Sequence, residues 1–369
     1  MSARSSKKIL IIGTNMMALY NHRLELIVNL LQQGYDVVVA APKGGEEKAL
    51  MDTGCRFIHI PVDTRGTNPT NDYKLIRGIR KICKIEKPDL LLTFYTKTNI
   101  YGGIVAGQLK IPYIENICGL GSSLVKDNIL GNLLKFLYRK ALKNVDFVFF
   151  QNNDNIRFIT SHKIYNGDYK LLPGSGVSLE RFNMLPYPSE DHCEFLFCSR
   201  IIKPKGIEDY IEAAKIVKQK YPESVFHVVG PCDPMYTKII KDADTSGVIK
   251  YHGKLMDLHP ILEKTHCCVL PSYYPEGMAN VLLEGAASGR PVITTARPGC
   301  GETVEDGVTG FVVNERDPQD LALTIEKFIN LPYEEKIRMG LKGREKMERE
   351  FNREIVIGNY LSKIREIVG

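Results

Sequence analysis

The chain has 369 residues, of which 44% are hydrophobic and 25% are charged, a composition typical of a globular protein with room for two domains. Its nine cysteines show neither paired Cys-x-x-Cys blocks nor Cys/His zinc spacing, which predicts reduced thiols and excludes a disulfide scaffold. No apolar run is long enough for a signal-peptide core or a membrane span, so we expect a cytoplasmic protein.

The net charge of +6 is unevenly distributed along the chain. Residues 1–170 contain 24 Lys or Arg and 14 Asp or Glu, whereas residues 171–369 contain 25 and 29. In the basic half, residues 74–87 and 131–144 place apolar side chains at helical spacing with Lys and Arg between them. This pattern fits two ordinary solvated helices, and it also fits a face that contacts an anionic membrane. Stacking aromatics are not interleaved with the charges, which argues against nucleic acid as a partner.

The same strand and helix pattern occurs twice along the chain. The first copy begins with a strand in KKILIIGTN, an amphipathic helix in HRLELIVNLLQQG and a strand in YDVVVAAP, which is the β-α-β unit of a parallel sheet. The pattern restarts with a strand in EFLFCSR and a helix in IEDYIEAAKIVKQKYP. We therefore predict an α/β protein with two Rossmann-like, doubly wound parallel-sheet domains, residues 1–173 and 174–350, followed by a C-terminal helix, residues 351–369. Further predicted strands are RFIHIPV, DLLLTFY, PYIENI, DFVFFQN, VFHVVG, IKYHG, CCVLPS and PVITT.

A candidate phosphate site follows the strand CCVLPS. Parallel sheets bind ligands where strand ends lead into helix N-termini, and a helix is predicted here from Gly277 onward. The backbone N–H groups of Gly277, Met278 and Ala279 would be free at that terminus and would point at an anion. The glycine would let the ligand approach the backbone closely, and Asn280 completes the predicted segment.

Two glutamates flank that segment, Glu276 and Glu284. If the residues between them are mostly helical, their Cα atoms lie about 12 Å apart. That separation is too long for a shared metal or for a retaining carboxylate pair, which needs about 5 Å. It fits an elongated nucleotide diphosphate sugar, with one acid at the sugar and the other at the ribose hydroxyls. Isolated glutamates at helix starts and on helix surfaces are also common.

Arg200 and Lys205 lie at another strand-to-helix junction, in SRIIKPKG. Together they could neutralise a diphosphate leaving group, the arginine as a planar fork and the lysine as a point charge. The alternative is a solvated basic loop. The nearby acid pair and helix terminus favour the phosphate interpretation.

Residues 200–313 resemble the donor-binding domain of the family 4 retaining glycosyltransferases, in SRIIKPKG, YHGKL, PSYYPEGMANVLLEGAASGRPVI and GETVEDGVTGFVV. The acid pair is similar to the E-x7-E signature of that family, which has the GT-B fold of two Rossmann-like domains facing a cleft. The segments HRLELIVNLLQQGYDVVVAAP, TKTNIYGGIVAG and ICGLGSS resemble the acceptor-side domain of bacterial members that build capsule, O-antigen or other lipid-linked glycans. In those relatives the last helix packs back on the first domain, as we expect of residues 351–369.

The resemblance implies roles for the matching residues. Glu276 would hold the transferred sugar, Glu284 the ribose, and Arg200 with Lys205 the diphosphate, so that no metal is required. Gly13 would line the cleft, although the family pattern often has two glycines in that first loop.

A second departure from the family pattern concerns a histidine. Many members place one beside the transferred sugar late in the first domain, whereas this chain has none between His59 and His162. Asn116 or the backbone of residues 119–122 would take over that contact. His22 is a further candidate, though an exposed or capping histidine is the simpler interpretation.

The expected function is transfer of a hexose or N-acetylhexosamine from a UDP-sugar to a saccharide linked to undecaprenyl diphosphate. The enzyme would be peripheral on the inner face of the membrane. One alternative, a nucleotide-sugar 2-epimerase of the same fold, needs acid/base residues that are scarce at the first-domain strand ends. Another, a non-catalytic sugar-nucleotide binding subunit, does not explain the full set of charged residues. The Asp-x-Asp at residues 242–244 resembles a metal-nucleotide motif but follows a helical segment.

Overall fold

The computed structural model describes residues 6–63, 66, 68–274 and 277–369, which form two compact units. Unit 1 combines the described residues of Met1–Ser175 with Glu354–Gly369, and unit 2 is Gly176–Arg353. In both units every described strand pairing is parallel. The predicted fold class of two parallel-sheet α/β domains is confirmed.

The sheet of unit 1 has seven described strands in the order β3-β2-β1-β4-β5-β6-β7. The order reverses between β1 and β4, which is the kind of position where such sheets open a ligand crevice at the strand carboxyl ends. The edge strand β7 was not predicted, because its three residues are exposed and form no buried run. The strands are β1 (Lys8–Ile12), β2 (Asp36–Ala41), β3 (Arg56–His59), β4 (Leu90–Phe94), β5 (Tyr113–Ile117), β6 (Phe147–Phe150) and β7 (Tyr169–Leu171).

The helices of unit 1 cover both faces of this sheet. Side chains of α3, α4, α6 and α7 share one buried cluster with one face of the strands, and α1 packs on the other face. The helices are α1 (Met16–Gln32), α2 (Glu47–Met51), α3 (Pro69–Glu86), α4 (Thr96–Leu109), α5 (Gly121–Leu124), α6 (Ile129–Ala141) and α7 (Asn153–Ser161).

Unit 2 has six described strands in the order β10-β9-β8-β11-β12-β13, and the order reverses between β8 and β11. The edge strand β13 was not among the predicted strands. The strands are β8 (Glu194–Cys198), β9 (Val225–Val229), β10 (Lys250–Tyr251), β11 (Cys267–Leu270), β12 (Val292–Thr295) and β13 (Gly310–Val313). The helices are α8 (Ile207–Lys220), α9 (Thr237–Thr245), α10 (His259–Leu262), α11 (Asn280–Ala287), α12 (Pro318–Ile329) and α13 (Tyr333–Lys346).

The last helix, α14 (Arg353–Val368), contributes to the core of unit 1. Its apolar residues recur at helical spacing, so they form one stripe that is buried with side chains of α1 and β4. The ring of Tyr360 lies 4.6 Å from that of Phe149, between ring centroids. The buried members of the stripe are Val356, Ile357, Tyr360, Leu361 and Ile364.

Membrane-spanning potential was examined over the described residues. None of the helices there combines the length and the apolar character that a membrane span requires.

Candidate functional site

The loops that follow β8 and β11 meet at the carboxyl edge of the unit 2 sheet. The first loop carries Arg200 and Lys205, and the second carries Tyr274. The backbone N–H of Tyr273 donates to the carbonyl of Pro204 at 2.9 Å, which ties the two loops together. Because β8 and β11 are neighbours at the point where the strand order reverses, this is where an α/β sheet binds its ligand.

A glycine makes this close approach of the two loops possible. Gly206 has φ +79°, the left-handed region that glycine adopts without steric cost. A Cβ atom at this position would lie 2.2 Å from the carbonyl oxygen of Pro271. The turn Lys203–Lys205 therefore ends against the second loop, and α8 begins immediately after it.

Both predicted phosphate-binding cations face one aromatic ring. The guanidinium carbon of Arg200 lies 5.5 Å from the ring centroid of Tyr274, and Nζ of Lys205 lies 5.2 Å from it. Lys205 is only 8% exposed. Burial lowers its pKa to about 8, and the nearby charge of Arg200 acts in the same direction. An anionic ligand at this position would stabilise the charged lysine, which water no longer does.

Glu284 lies near the same cluster. It is partly exposed on α11, and burial of its carboxylate raises its pKa despite the nearby Arg181 and Arg353. Its charge and that of Lys205 both act on Cys198, whose thiol pKa is raised by burial and by Glu284 and lowered by Lys205. The structure thus brings Arg200, Lys205 and Glu284 into one neighbourhood within unit 2.

The predicted start of the phosphate-binding helix was wrong. Helix α11 begins at Asn280 instead of Gly277, and the N–H of Ala279 donates to the carbonyl of Gly299 at 2.7 Å. The prediction of a free N–H at Ala279 is therefore contradicted, because the loop after β12 captures that donor. Met278 is buried in the hydrophobic core, whereas Gly277 and Asn280 are partly exposed at this end of the helix.

The prediction for Glu276 lies outside the described residues. The separation of about 12 Å between Glu276 and Glu284 assumed a helix across the intervening residues. Residues 277–279 are not helical, so that assumption was wrong and the helical rise does not give the distance.

In unit 1, Gly13 is required by local packing. A Cβ atom there would lie 2.6 Å from Cδ1 of Leu19, because α1 returns closely over the end of β1. The N–H of Gly13 donates to the carbonyl of Ala40 at 3.1 Å. Asn15 then caps α1 by accepting a hydrogen bond from the N–H of Ala18. A second glycine is not needed for this turn.

The proposed substitute for the missing histidine was wrong for the side chain of Asn116. This residue is 1% exposed, and its amide nitrogen donates to the hydroxyl of Tyr360 in α14. Its carbonyl accepts from the side chain of Asn99 at 2.9 Å. Asn116 therefore anchors the last helix in unit 1. The carbonyl of Gly119, in the neighbouring loop, accepts from the hydroxyl of Thr96 at 3.3 Å.

Two histidine and acid candidates have local contacts. His22 lies in α1 and its carbonyl accepts a hydrogen bond from Arg23 at 3.1 Å. Asp244 lies in α9 and accepts from the N–H of Tyr251 at 2.9 Å, which fixes the start of the edge strand region. The described residues contain no group of three or more His, Cys, Asp or Glu side chains arranged to hold a metal ion.

Sequence reasoning missed Tyr274, Cys198 and the loop at Gly299. The aromatic pair in SYYPEG, directly after a strand, was a usable signal for Tyr274, since a ring there can face cations from the next loop. The contact of Gly299 with Ala279 joins segments twenty residues apart and has no local signature.

Two families match the chain, one for each unit. The family described as "Glycosyl transferase 4-like" matches residues 8–152, and the family described as "Glycosyl transferases group 1" matches residues 192–330. Both matches fall on the parallel sheets described above, and the second includes Arg200, Lys205 and Glu284.

Curated relatives are similar over most of their length. An N,N'-diacetylbacillosaminyl-diphospho-undecaprenol alpha-1,3-N-acetylgalactosaminyltransferase of Campylobacter jejuni is 25% identical, with 95% of this chain and 96% of the relative covered. A UDP-Gal:alpha-D-GlcNAc-diphosphoundecaprenol alpha-1,3-galactosyltransferase of Escherichia coli is 25% identical, with 83% and 80% covered. Among solved structures, a glycosyltransferase from Rickettsia africae superposes with a TM-score of 0.81 at 20% identity, covering 99% of each chain.

Proposed function

The chain belongs to the family 4 glycosyltransferases of GT-B fold, and on that premise we propose a specific reaction for it. It transfers a hexose or N-acetylhexosamine from a UDP-sugar to a saccharide linked to undecaprenyl diphosphate, in the synthesis of a surface polysaccharide. The names of the relatives from C. jejuni and E. coli support this acceptor class, and the latter name also supports the UDP-sugar donor. Both relatives are named as transferases, so an epimerase is not favoured.

The observation that carries the donor assignment is the convergence of Arg200 and Lys205 on the ring of Tyr274. Two cations held this close repel each other, and burial adds a desolvation cost for the lysine. A diphosphate removes both costs by supplying two negative groups. The site is therefore organised in advance for the charge that develops on UDP as it departs.

The remaining donor contacts extend along α11. Glu284 accepts hydrogen bonds from the two ribose hydroxyls, for which the paired oxygens of a carboxylate are suited. Gly277, Met278 and Asn280 lie at the start of the helix, on the phosphate side. Glu276 contacts hydroxyls of the transferred sugar, a role that rests on the E-x7-E resemblance.

Transfer proceeds with retention of configuration. The bond between the anomeric carbon and the β-phosphate oxygen breaks, and its electron pair leaves with UDP, stabilised by Arg200 and Lys205. The acceptor hydroxyl attacks the same face of the sugar and passes its proton to the departing phosphate oxygen beside it. These two protein cations supply the charge stabilisation that Mg²⁺ supplies in other transferases, so the reaction needs no metal.

The test is incubation with a panel of UDP-sugars, with and without undecaprenyl-diphosphate-linked saccharides, while UDP release is followed. We expect acceptor-dependent release from one or a few donors, unchanged by a chelator, and a product whose anomeric configuration matches the donor by NMR. Glu276→Ala should abolish transfer while the circular dichroism spectrum stays that of the wild type. Release from no donor in the presence of any such acceptor would refute the proposed reaction.

A further inference from the structure

The outer helix layer of unit 1 consists mainly of α3 and α6. Both helices pack on the same face of the sheet as α4, which contacts each of them. Helix α4 is mostly buried, and Gly103 brings it close to the end of α6, where a Cβ atom would lie 3.0 Å from the carbonyl oxygen of Ala141. The exposed faces of α3 and α6 therefore form the surface of this layer.

Helix α6 exposes an apolar stripe on that surface. Ile129, Leu133 and Phe136 are spaced by four and three residues, so they share one side of the helix. Their exposed fractions are 90%, 50% and 56%. The opposite side of α6 is buried through Tyr138. Single exposed apolar residues are ordinary on protein surfaces, but three bulky ones on one stripe indicate a surface that is covered in the working protein.

Basic side chains continue and flank this stripe. Lys140 and Lys143 follow on the same side of the helix, and both are exposed. Arg139 is held beside them because its guanidinium donates to the carbonyls of His162 and Lys163, at 3.1 Å and 3.0 Å. Together they place positive charge at the C-terminal end of the apolar stripe.

Helix α3 adds a second basic stripe to the same layer. Its exposed side chains Lys74, Arg77, Lys81 and Lys84 recur at spacings of three and four residues. The acidic side chains of α3 are engaged elsewhere. Asp72 pairs with Lys97 at 2.8 Å, and Glu86 pairs with Arg56 at 2.7 Å.

An open cavity of about 760 Å³ lies at the basic end of the apolar stripe. Phe136 and Lys140 line it, together with three further cations and two carboxylates, Asp146 and Asp168. The N–H of Tyr113 donates to the carboxylate of Asp146 at 2.9 Å, which partly satisfies that charge. The cavity therefore presents an excess of cationic groups beside an apolar side chain. Its other cations are Arg139, Lys143 and Lys163.

We propose that unit 1 docks on an anionic lipid bilayer through this surface. The stripe Ile129, Leu133 and Phe136 enters the boundary between headgroups and acyl chains. Lys140, Lys143 and the α3 cations contact lipid phosphates. The charge pattern selects this occupant, because a second copy of the same surface would bring like charges together.

The direction of α6 connects the surface to the proposed function, on which this inference rests. A helix in a parallel β-α-β unit runs opposite to its strands, so its N-terminus lies at the carboxyl edge of the sheet. Ile129 is the first residue of α6 and therefore lies toward that edge of unit 1. A bilayer in contact with the stripe would place lipid-linked saccharides near the edge where parallel sheets bind ligands.

The experiment is sedimentation of the full chain with vesicles of phosphatidylcholine alone or mixed with phosphatidylglycerol, at low and high salt. We expect binding to the anionic vesicles that weakens with salt. The triple change Ile129→Ser, Leu133→Ser and Phe136→Ser should weaken binding by about tenfold or more. The matched control is Leu323→Ser on α12, which is 64% exposed and should bind as the wild type does.

The charge arm uses Lys140→Gln with Lys143→Gln. We expect binding to anionic vesicles to fall about thirtyfold, since each lysine near such a surface contributes about 1 kcal/mol. The matched control is Lys238→Gln with Lys241→Gln, two exposed lysines with the same spacing on α9. Equal binding to both vesicle types, or wild-type binding by the triple variant, would overturn the proposal. A monomeric triple variant derived from a dimeric wild type would do so as well, because it would identify a second copy as the occupant.

Transfer assays separate this inference from the proposed function. With a short-chain, water-soluble diphosphate-linked saccharide and no vesicles, the α6 variants should transfer sugar at the wild-type rate. Loss of vesicle binding with intact transfer would leave the reaction standing and isolate the docking surface. Absence of transfer in the wild type would refute the reaction, whereas lipid binding could still be measured.

Discussion

The two units share a parallel-sheet architecture and differ in what they do with the carboxyl edge of the sheet. In unit 2, cations from two loops converge on Tyr274, and one of them, Lys205, is held at a cost in desolvation. In unit 1, the polar side chain of Asn116 is consumed by a contact with the last helix. Charge that opposes folding indicates ligand binding, whereas a satisfied buried hydrogen bond indicates stability.

The largest expected effect comes from removing a cation of unit 2. Lys205→Ala should lower transfer by at least about a hundredfold, because it removes one preorganised stabiliser of the leaving group. The free energy of unfolding should stay unchanged or increase, since a desolvated charge is lost. Steady-state kinetics and urea unfolding measure the two quantities.

The matched control is Lys203→Ala, whose side chain is 67% exposed and only pairs with Glu208 at 3.5 Å. It should retain wild-type transfer. Full activity in Lys205→Ala, or equal losses in both variants, would contradict the contrast between the units.

A change at the edge of unit 1 should have the reverse pattern. Tyr360→Phe removes the hydroxyl that accepts from Asn116 and leaves a buried amide donor without its partner. We expect a loss of about 1–3 kcal/mol in the free energy of unfolding, with UDP affinity unchanged. Tyr73→Phe, at a residue 60% exposed, is the control and should change neither quantity. Weakened UDP binding with normal stability would count against this assignment.

The pH dependence of donor binding tests Lys205 without a mutation. Its pKa in the free protein is about 8, below the ordinary value of 10.5. Above that pH the lysine is neutral, so UDP affinity should fall by up to about tenfold per pH unit. Stability without UDP should change in the opposite direction. The depressed pKa means that stability rises as pH increases from about 8 to about 10.5, and is lost as pH falls through the folded pKa.

Calorimetric titration with UDP and thermal unfolding across this range measure both slopes. UDP affinity that is constant across the range would show that the charge of Lys205 is not used in binding.

The smallest expected effect concerns the ring between the cations. Tyr274→Leu removes the cation–π contacts with Arg200 and Lys205, so UDP should bind about three- to tenfold more weakly. Tyr274→Phe keeps the ring and should bind UDP nearly as the wild type does. Equal losses in the two variants would assign the effect to the hydroxyl instead of the ring.

The sequence by itself determined the two parallel sheets, because apolar β-branched strands and amphipathic helices are local patterns. It also predicted the convergence of Arg200, Lys205 and Glu284, since each follows a strand or begins near one, and strand carboxyl ends meet at one edge. Only tertiary structure decided that α11 begins at Asn280, because the carbonyl of Gly299 captures the N–H of Ala279. Only tertiary structure decided the role of Asn116, whose partner Tyr360 lies 244 residues along the chain. Contacts at such separations depend on how elements pack, and that information has no local signature.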